Sequence, residues 1–251
     1  MHRAKAKFEG ATIPILFRFP EGAQGPVPAV VIVCGTDSTK EENYTLERSL
    51  LDRGFATVSF DGPGQGEVWP QMKMRPDYHK VVSLVADAAA ARPEIDADRL
   101  VLLGKSFGGL LAPAAAAHDP RFKACLVNGG YFDTSFYDWS NPLRSIRFQY
   151  VVGAETLDDA KRLATEYTLA DCIENVRVPL MVIHGGRDRD APASAAKRIA
   201  DEASGPATFI EHREGIHCCH NVAYIVTPAT ADWLSDQVSG GAEKRLQVAS
   251  G

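Results

Sequence analysis

Short runs of Val, Ile and Leu alternate along this chain with longer stretches rich in Ala and Leu. Uninterrupted apolar runs are typical of strands buried on both faces of a parallel sheet, and the longer stretches are typical of the helices that connect such strands. The predicted strands are residues 29–34, 56–60, 100–103, 123–127, 180–183 and 208–212. The predicted helices are residues 42–53, 78–91, 107–118, 193–203 and 221–238, and residues 8–19 are predicted to form an antiparallel opening hairpin. The pattern therefore predicts an α/β fold with a mostly parallel central sheet and helices on both faces.

The alternation is interrupted once, between Gly130 and Pro179, where no buried strand is predicted. Aromatic residues cluster at 131–139, and a helix is predicted at 157–167. Long connections in compact domains usually carry function, so residues 131–178 are predicted to form a short lid. The whole chain, 1–251, is interpreted as a single domain with a small, polar tail at 239–251 that we expect to be frayed.

Charge narrows the classes of partner. The 251 residues carry a formal net charge of −5, whereas nucleic acids and anionic membranes reward clustered Lys and Arg. The longest apolar stretch, 27–34, contains Pro28 and is too short to cross a bilayer, and the basic N-terminus lacks the apolar core of a signal peptide. We expect a cytoplasmic protein that acts on a small-molecule substrate, with no nucleic-acid or membrane partner. The oligomeric state stays open, a homodimer included.

Cysteine and glycine patterns give no support for a metal or a cofactor. The cysteines are scattered and odd in number, which fits reduced thiols: Cys34, Cys125, Cys172, Cys218 and Cys219. Four consecutive residues from His217 to His220 cannot easily surround one tetrahedral ion. The glycines of the segment 61–66 fall at alternate positions and do not form the dinucleotide fingerprint. We therefore expect no bound metal and no cofactor.

The segment Gly104-Lys-Ser-Phe-Gly108 joins an apolar predicted strand to an Ala-rich predicted helix. A serine nucleophile on a sharp strand-to-helix turn needs this context, because glycines two residues to either side let the strand and the helix approach each other. Ser106 is therefore the predicted nucleophile. The backbone N–H groups of Phe107 and Thr36 are the predicted oxyanion donors, Thr36 because it follows the strand that ends at Cys34; a simple turn at 35–36 is the alternative.

A serine nucleophile requires a general base and a residue that orients it. The strand at 180–183 leads through a glycine turn to Asp188, the predicted orienting acid; Asp190 is the second candidate, with helix capping as its alternative role. His217 follows a glycine in a loop and is the predicted base, whereas His220 lies at the start of the last helix and has packing as its alternative. The order Ser, Asp, His along the chain is the one associated with the nucleophile-elbow hydrolases.

These residues resemble the α/β-hydrolases similar to 2,6-dihydroxypseudooxynicotine hydrolase, a family that cleaves carbon–carbon bonds. The resemblance rests on the segments 35–42, 61–67, 104–109, 168–171 and above all His217-Cys-Cys-His-Asn. It implies the α/β-hydrolase fold and the triad Ser106, Asp188 and His217. It also implies an acidic lid residue, for which Asp133 and Asp138 are candidates, with ordinary surface acids as the alternative.

The residues and the resemblance together predict a serine hydrolase that forms an acyl-enzyme and cleaves a carbon–carbon bond next to a carbonyl in a small aromatic ketone. Aromatic side chains at 131–139, Tyr137 and Trp139 among them, are predicted to stack against the substrate ring, with lid packing as the alternative. A carboxylesterase or lactonase similar to dienelactone hydrolase is the alternative function. A peptidase or a catalytically silent ligand-binding protein ranks below these.

Overall fold

The computed structural model of this chain describes residues 1–239. Its strands are β1 (His2–Phe8), β2 (Ala11–Arg18), β3 (Val27–Val33), β4 (Ala56–Phe60), β5 (Ile95–Lys105), β6 (Phe122–Asn128), β7 (Leu180–Gly185) and β8 (Ala207–His212). They form one eight-stranded sheet in the order β1-β2-β4-β3-β5-β6-β7-β8. β1 and β2 pair antiparallel to their neighbours, and the strands from β4 to β8 in this order run parallel. The carboxyl ends of the parallel strands therefore share one edge of the sheet.

Helices cover both faces of the sheet. Their bounds are α1 (Tyr44–Leu51), α2 (His79–Ala90), α3 (Gly108–His118), α4 (Pro142–Val152), α5 (Leu157–Ala164), α6 (Ala193–Glu202) and α7 (Ala223–Val238). Alternate strand residues enter two separate cores, because successive side chains of a strand point to opposite faces. One core packs the sheet against α2, α3 and α6, and the other packs it against α1 and α7. The prediction of a mostly parallel sheet with helices on both faces is confirmed.

Two local differences from the sequence prediction have clear causes. The predicted antiparallel hairpin is present, but its bounds differ from 8–19: Phe8 ends β1 and pairs with Ala11 at the start of β2. Glu9 and Gly10 both have positive φ, 44° and 89°, which is the backbone of a two-residue hairpin turn. The strand at 2–8 was not predicted because its exposed side is polar and partly charged.

The lid segment contains a helix that was not predicted. α4 begins after Asn141, whose side chain accepts a hydrogen bond from the N–H of Leu143, and it ends at Gly153 with φ 68°. Apolar side chains on its outer surface, at Leu143 and Ile146, are exposed, whereas Ser145 is buried. Because Phe148, Val151 and Val152 are buried as well, apolar residues lie on both sides of α4 and do not mark one face. Asn-Pro at the start of the helix and Gly at its end are nevertheless recognisable boundary signals.

None of the helices within residues 1–239 combines the length and the apolar character needed to span a membrane. All five cysteines are buried with free thiols. Apart from Ser239, the predicted frayed tail at 239–251 lies outside the described residues.

Candidate active site

Ser106 lies on a strained turn between β5 and α3. Its φ is 53°, a backbone region that non-glycine residues rarely adopt. A Cβ atom on Gly104 would lie 2.2 Å from the carbonyl oxygen of Gly108, and a Cβ on Gly108 would lie 2.1 Å from the carbonyl oxygen of Val33. The two glycines are therefore required for the close approach of strand and helix that sets Ser106 above the carboxyl edge of the sheet.

His217 joins Ser106 to Asp188 through both of its ring nitrogens. Its Nε2 lies 2.8 Å from Ser106 Oγ, and its Nδ1 lies 2.8 Å from Asp188 Oδ2. In the neutral ring with the proton on Nδ1, His217 donates to the carboxylate and accepts from the serine hydroxyl. Along the sequence, His217 is 111 positions from Ser106 and 29 positions from Asp188. The three residues that the sequence singled out thus form one continuous hydrogen-bonded chain. This geometry permits proton removal from Ser106.

The side chain of Asp188 is only 1% exposed and is fixed from two sides. Its Oδ1 accepts hydrogen bonds from the backbone N–H groups of Asp190 (2.7 Å) and Ala191 (3.1 Å). The second candidate, Asp190, is 52% exposed, and its Oδ2 lies 3.9 Å from His217 Nδ1. Asp188 therefore holds the histidine, and Asp190 lies beside the pair at the surface.

A buried histidine beside Asp188 was missed by the sequence analysis. His184 is fully buried in β7, and its Nε2 lies 3.0 Å from the carbonyl oxygen of Ala191 and 3.5 Å from Asp188 Oδ2. Burial lowers the pKa of His184 and keeps its ring neutral. The only signal in the sequence was an apolar strand that ends in a histidine. This signal does not distinguish a histidine beside the orienting acid from one that only packs in the core.

The surroundings of His217 favour its protonated form. Burial lowers the pKa of His217, but the hydrogen bond with Asp188 and the contact with Cys218 outweigh this effect, and the net shift of the pKa is upwards. Burial raises the pKa of Asp188, whereas the hydrogen bond with His217 lowers it, and the net shift is downwards. These partners stabilise the imidazolium that forms when His217 accepts a proton from Ser106.

Two cysteines directly after His217 shape the turn that carries it. Cys218 and Cys219 have positive φ values, 52° and 55°, within a short 3-10 helix at His217–Val222. The Cys218 thiol donates a weak hydrogen bond to the carbonyl of Asn128 (3.4 Å) and lines a small second cavity with Lys105 and His220. Although burial raises the pKa of Cys218, contact with His217 and His220 lowers it to about 7. The structure thus places His220 on the far side of Cys218 rather than next to Ser106.

The predicted oxyanion donors lie on either side of Ser106. Thr36 is 8% exposed and lines the cavity that contains Ser106, and a Cβ on the preceding Gly35 would lie 3.2 Å from Ser106 Cβ. Phe107 follows the nucleophile at the start of α3. Among residues 1–239, neither N–H group donates a hydrogen bond to the protein. Both donors are therefore available to an oxygen atom in front of Ser106.

The cavity in front of Ser106 is roofed by the lid. Its lining residues are Thr36, Ser106, Tyr131, Tyr137, Arg144, Arg147, Phe148, Asp190 and His217. The cavity has a volume of about 30 Å³, which holds one or two water molecules. The hydroxyls of Tyr131 and Tyr137 lie 2.5 Å apart inside the aromatic roof. An aromatic substrate therefore requires the roof side chains to move.

The lid residues predicted from the sequence divide into two groups. Tyr137 lines the cavity, and Trp139 packs against it with ring centroids 5.6 Å apart. Asp133 instead pairs with Arg198 at 3.0 Å, and Asp138 accepts from the backbone N–H of Ser140 at 3.0 Å. Neither carboxylate lines the cavity of Ser106. Arg144 and Arg147 line it and were missed, because their position on α4 has no signature in the sequence.

One group of side chains has the composition of a cation site. Ligand atoms of Asp188, Asp190 and His217 all lie within 4.8 Å of one another. Both ring nitrogens of His217 are already engaged by Ser106 and Asp188, so a cation bound there would displace the hydrogen bond between His217 and Asp188. The arrangement fits a triad better than a metal centre.

The topology and the positions of these side chains define the class of protein. A turn after β5 carries the serine, the loop after β7 carries the acid, and the segment after β8 carries the histidine. This arrangement on a mostly parallel sheet is the α/β-hydrolase fold. A family model described as the prolyl oligopeptidase family matches residues 42–208, and the chain belongs to this family of α/β-hydrolases.

Individual relatives narrow the comparison. The chain is 35% identical over 235 residues to 2,6-dihydropseudooxynicotine hydrolase of Paenarthrobacter nicotinovorans, a match that covers 93% of this chain and 64% of the relative. It is 32% identical to a hydrolase of a Fusarium species, over 82% of this chain and 61% of the relative. The crystal structure of 2,6-dihydroxy-pseudo-oxynicotine hydrolase superposes with a TM-score of 0.90 at 34% identity, covering 95% of this chain and 68% of that one. The chain thus spans less than two thirds of the length of these two curated relatives.

Proposed function

We propose that this chain is a serine hydrolase that cleaves a carbon–carbon bond next to the carbonyl of a small aromatic ketone. The observation that carries the proposal is the continuous chain from Ser106 Oγ through His217 to the buried Asp188, with 2.8 Å at each step. The family membership supports hydrolysis, and the resemblance to a carbon–carbon bond hydrolase supports the choice of bond. The aromatic roof formed by Tyr131, Tyr137 and Phe148 supports an aromatic substrate.

The first half of the reaction forms an acyl-enzyme. Ser106 Oγ attacks the carbonyl carbon as its proton passes to His217 Nε2, and the carbonyl oxygen becomes an oxyanion that accepts from the N–H groups of Thr36 and Phe107. When the tetrahedral intermediate collapses, the bond to the aryl carbon breaks. The leaving carbon takes the proton from His217, which requires a ring that is electron-rich enough to accept a proton at that carbon as the bond breaks.

The second half releases the acid. Water gives one proton to His217 Nε2 and adds its oxygen to the acyl carbon. The ester bond to Ser106 then breaks and Ser106 Oγ recovers the proton. One water is consumed, and a carboxylic acid and an arene are formed. The hydrogen bond between His217 and the buried Asp188 supports this cycle because it stabilises the imidazolium between the two proton transfers.

A carboxylesterase is the second candidate, and one observation favours it. Among residues 1–239, no carboxylate of the lid lines the cavity of Ser106, so a lid acid is not in place to assist a carbon leaving group. An oxygen leaving group departs as a stable alcohol or phenol and needs only the proton from His217. Peptidase activity ranks below both, because Ser106 lies in a small cavity under Tyr137 and Phe148 of the lid, which would have to open further for an extended peptide than for one aromatic ring.

Product analysis by mass spectrometry separates these functions. A 2,6-dihydroxyphenyl ketone and the matched phenyl ester are incubated with the wild-type chain and with Ser106→Ala. We expect ketone cleavage that falls at least about 10³-fold in Ser106→Ala. The exposed Ser194 provides the matched control, since Ser194→Ala should retain wild-type rates. Cleavage of the ester alone would select the carboxylesterase, and failure to cleave either, together with no labelling by a fluorophosphonate, would indicate a silent binding protein.

A further inference from the structure

The guanidinium of Arg144 lies at the cavity of Ser106 in a fixed position. Arg144 belongs to the first turn of α4 and is partly buried. Its Nη2 donates to the carbonyl oxygen of Asp190 at 2.6 Å. The guanidinium carbon lies 4.9 Å from the ring centre of Tyr137 and 5.6 Å from that of Phe136. A backbone carbonyl and two aromatic rings therefore orient this cation beside the nucleophile.

Among the residues that the structure describes, Arg144 differs from its charged neighbours in having no carboxylate partner. Arg147, which also lines the cavity, pairs with Asp37 at 3.2 Å, and Arg198 pairs with Asp133 at 3.0 Å. Within residues 1–239, no carboxylate oxygen lies within 4.0 Å of a guanidinium nitrogen of Arg144. Asp190 lines the same cavity, yet its carboxylate is directed to His217 and only its backbone carbonyl contacts Arg144. The positive charge of Arg144 is therefore uncompensated by an ion pair.

An arginine in this setting suits a carboxylate. A guanidinium carries five N–H donors in a planar fork that matches the two oxygens of a carboxylate, and only one donor is used by Asp190. The contacts with Phe136, which does not line the cavity, and with the carbonyl of Asp190 restrict the guanidinium and reduce the entropy lost on binding. A ligand whose carbonyl lies at Ser106 would have its far end close to α4.

We propose that Arg144 binds a carboxylate on the substrate, so that the substrate class is small aromatic acyl compounds that carry a negative charge. This inference rests on the proposed function, since it assigns the substrate of the same site. The competing explanation is structural: Arg144 would only tie the lid to the loop at Asp190. The two explanations differ in one observable, because a purely structural contact affects charged and neutral ligands equally.

Ligand binding to the Ser106→Ala variant tests the proposal without turnover. The probes are 4-acetylbenzoate and its neutral isostere 4-acetylbenzamide, with Kd measured by calorimetry. We expect 4-acetylbenzoate to bind about 10- to 100-fold more tightly, as for one charged hydrogen-bonded pair. Arg144→Gln should abolish this preference, and Arg144→Lys should restore part of it, because lysine keeps the charge and loses the planar fork.

Controls separate loss of folding from loss of binding. Arg162 lies on α5, is 66% exposed and is outside the cavity, so Arg162→Gln should keep the full preference. Equal Kd values for the two probes in Ser106→Ala would overturn the proposal, whether or not the Arg144 variants fold. A preference that persists in a folded Arg144→Gln would overturn it as well. A preference without hydrolysis of any ketone or ester by the wild-type chain would reject the proposed function and leave the binding site standing.

Discussion

At the scale of single residues, the hydrogen bonds of Asp188 and Asp190 distinguish the roles of these two acids, whereas their positions along the chain do not. Both carboxylates approach His217 Nδ1, at 2.8 Å and 3.9 Å. Only Asp188 is buried and held by backbone N–H groups, so its orientation does not depend on solvent. A fixed carboxylate selects the histidine tautomer that leaves Nε2 free to accept the proton of Ser106.

Exchanging each acid for its amide tests this assignment. Asp188→Asn should lower kcat about 10⁴-fold, because an amide that donates to Nδ1 favours the unproductive tautomer. Asp190→Asn should lower it less than about 10-fold. The rate of fluorophosphonate labelling, followed by intact-protein mass spectrometry, measures both variants without knowledge of the substrate. A greater loss in Asp190→Asn would assign the orienting role to Asp190 instead.

At the scale of elements, the turn between β5 and α3 depends on backbone contact. The segment 104–108 brings α3 against β3. A Cβ atom added to Gly108 would lie 2.1 Å from the carbonyl oxygen of Val33. Backbone atoms cannot move aside as a flexible side chain does, so a methyl group there must displace the helix. The displacement would also move Ser106 and the Phe107 N–H. The turn that carries the nucleophile is therefore also a point of tight packing.

Gly108→Ala is expected to lower the free energy of unfolding by about 2–3 kcal/mol, because overpacking against backbone outweighs the better helix propensity of alanine. Gly22 is the matched control: its φ is 71°, and a Cβ there meets nothing within 4 Å. Gly22→Ala should cost only about 1 kcal/mol from backbone strain. Urea unfolding followed by circular dichroism gives both values. Equal losses in the two variants would contradict the steric argument.

At the scale of the whole molecule, a buried ion pair connects the antiparallel end of the sheet to the helix layer. Glu47 on α1 is fully buried and pairs with Arg18 on β2, while it accepts from Ser59 (2.7 Å) and Thr57 (3.2 Å) on β4. These contacts join β2 to the consecutive elements α1 and β4, with Arg18 and Glu47 29 positions apart along the chain. Removal of one partner would leave a charge without compensation in the interior.

Arg18→Met should therefore destabilise the protein by about 3–5 kcal/mol, because Glu47 stays buried without a cation. The double variant Arg18→Met with Glu47→Leu should recover most of this loss, since an apolar pair replaces the ion pair. A double-mutant cycle on the free energy of unfolding measures the coupling. Additive losses would show that Arg18 and Glu47 do not interact in solution.

Local patterns in the sequence predicted much of the fold and the core of the candidate site. The buried strands were recognisable as apolar runs, since both faces of a parallel sheet are covered. The glycines around Ser106 marked the turn because only a residue without a side chain tolerates such close backbone contact. The order of Ser106, Asp188 and His217 then restricted the class of chemistry.

What the sequence alone determined was thus every strand except β1, most helices and the candidates for the triad, because short-range periodicity and turn chemistry are local properties. The tertiary structure alone decided between Asp188 and Asp190, placed Asp133 and Asp138 outside the cavity, and brought Arg144 to Ser106. These outcomes depend on contacts between segments that are far apart in the chain. The helix α4 shows the reason most directly: apolar residues lie both on its buried side, as Phe148 does, and on its exposed side, as Leu143 and Ile146 do, so only the packed lid reveals which side faces the site.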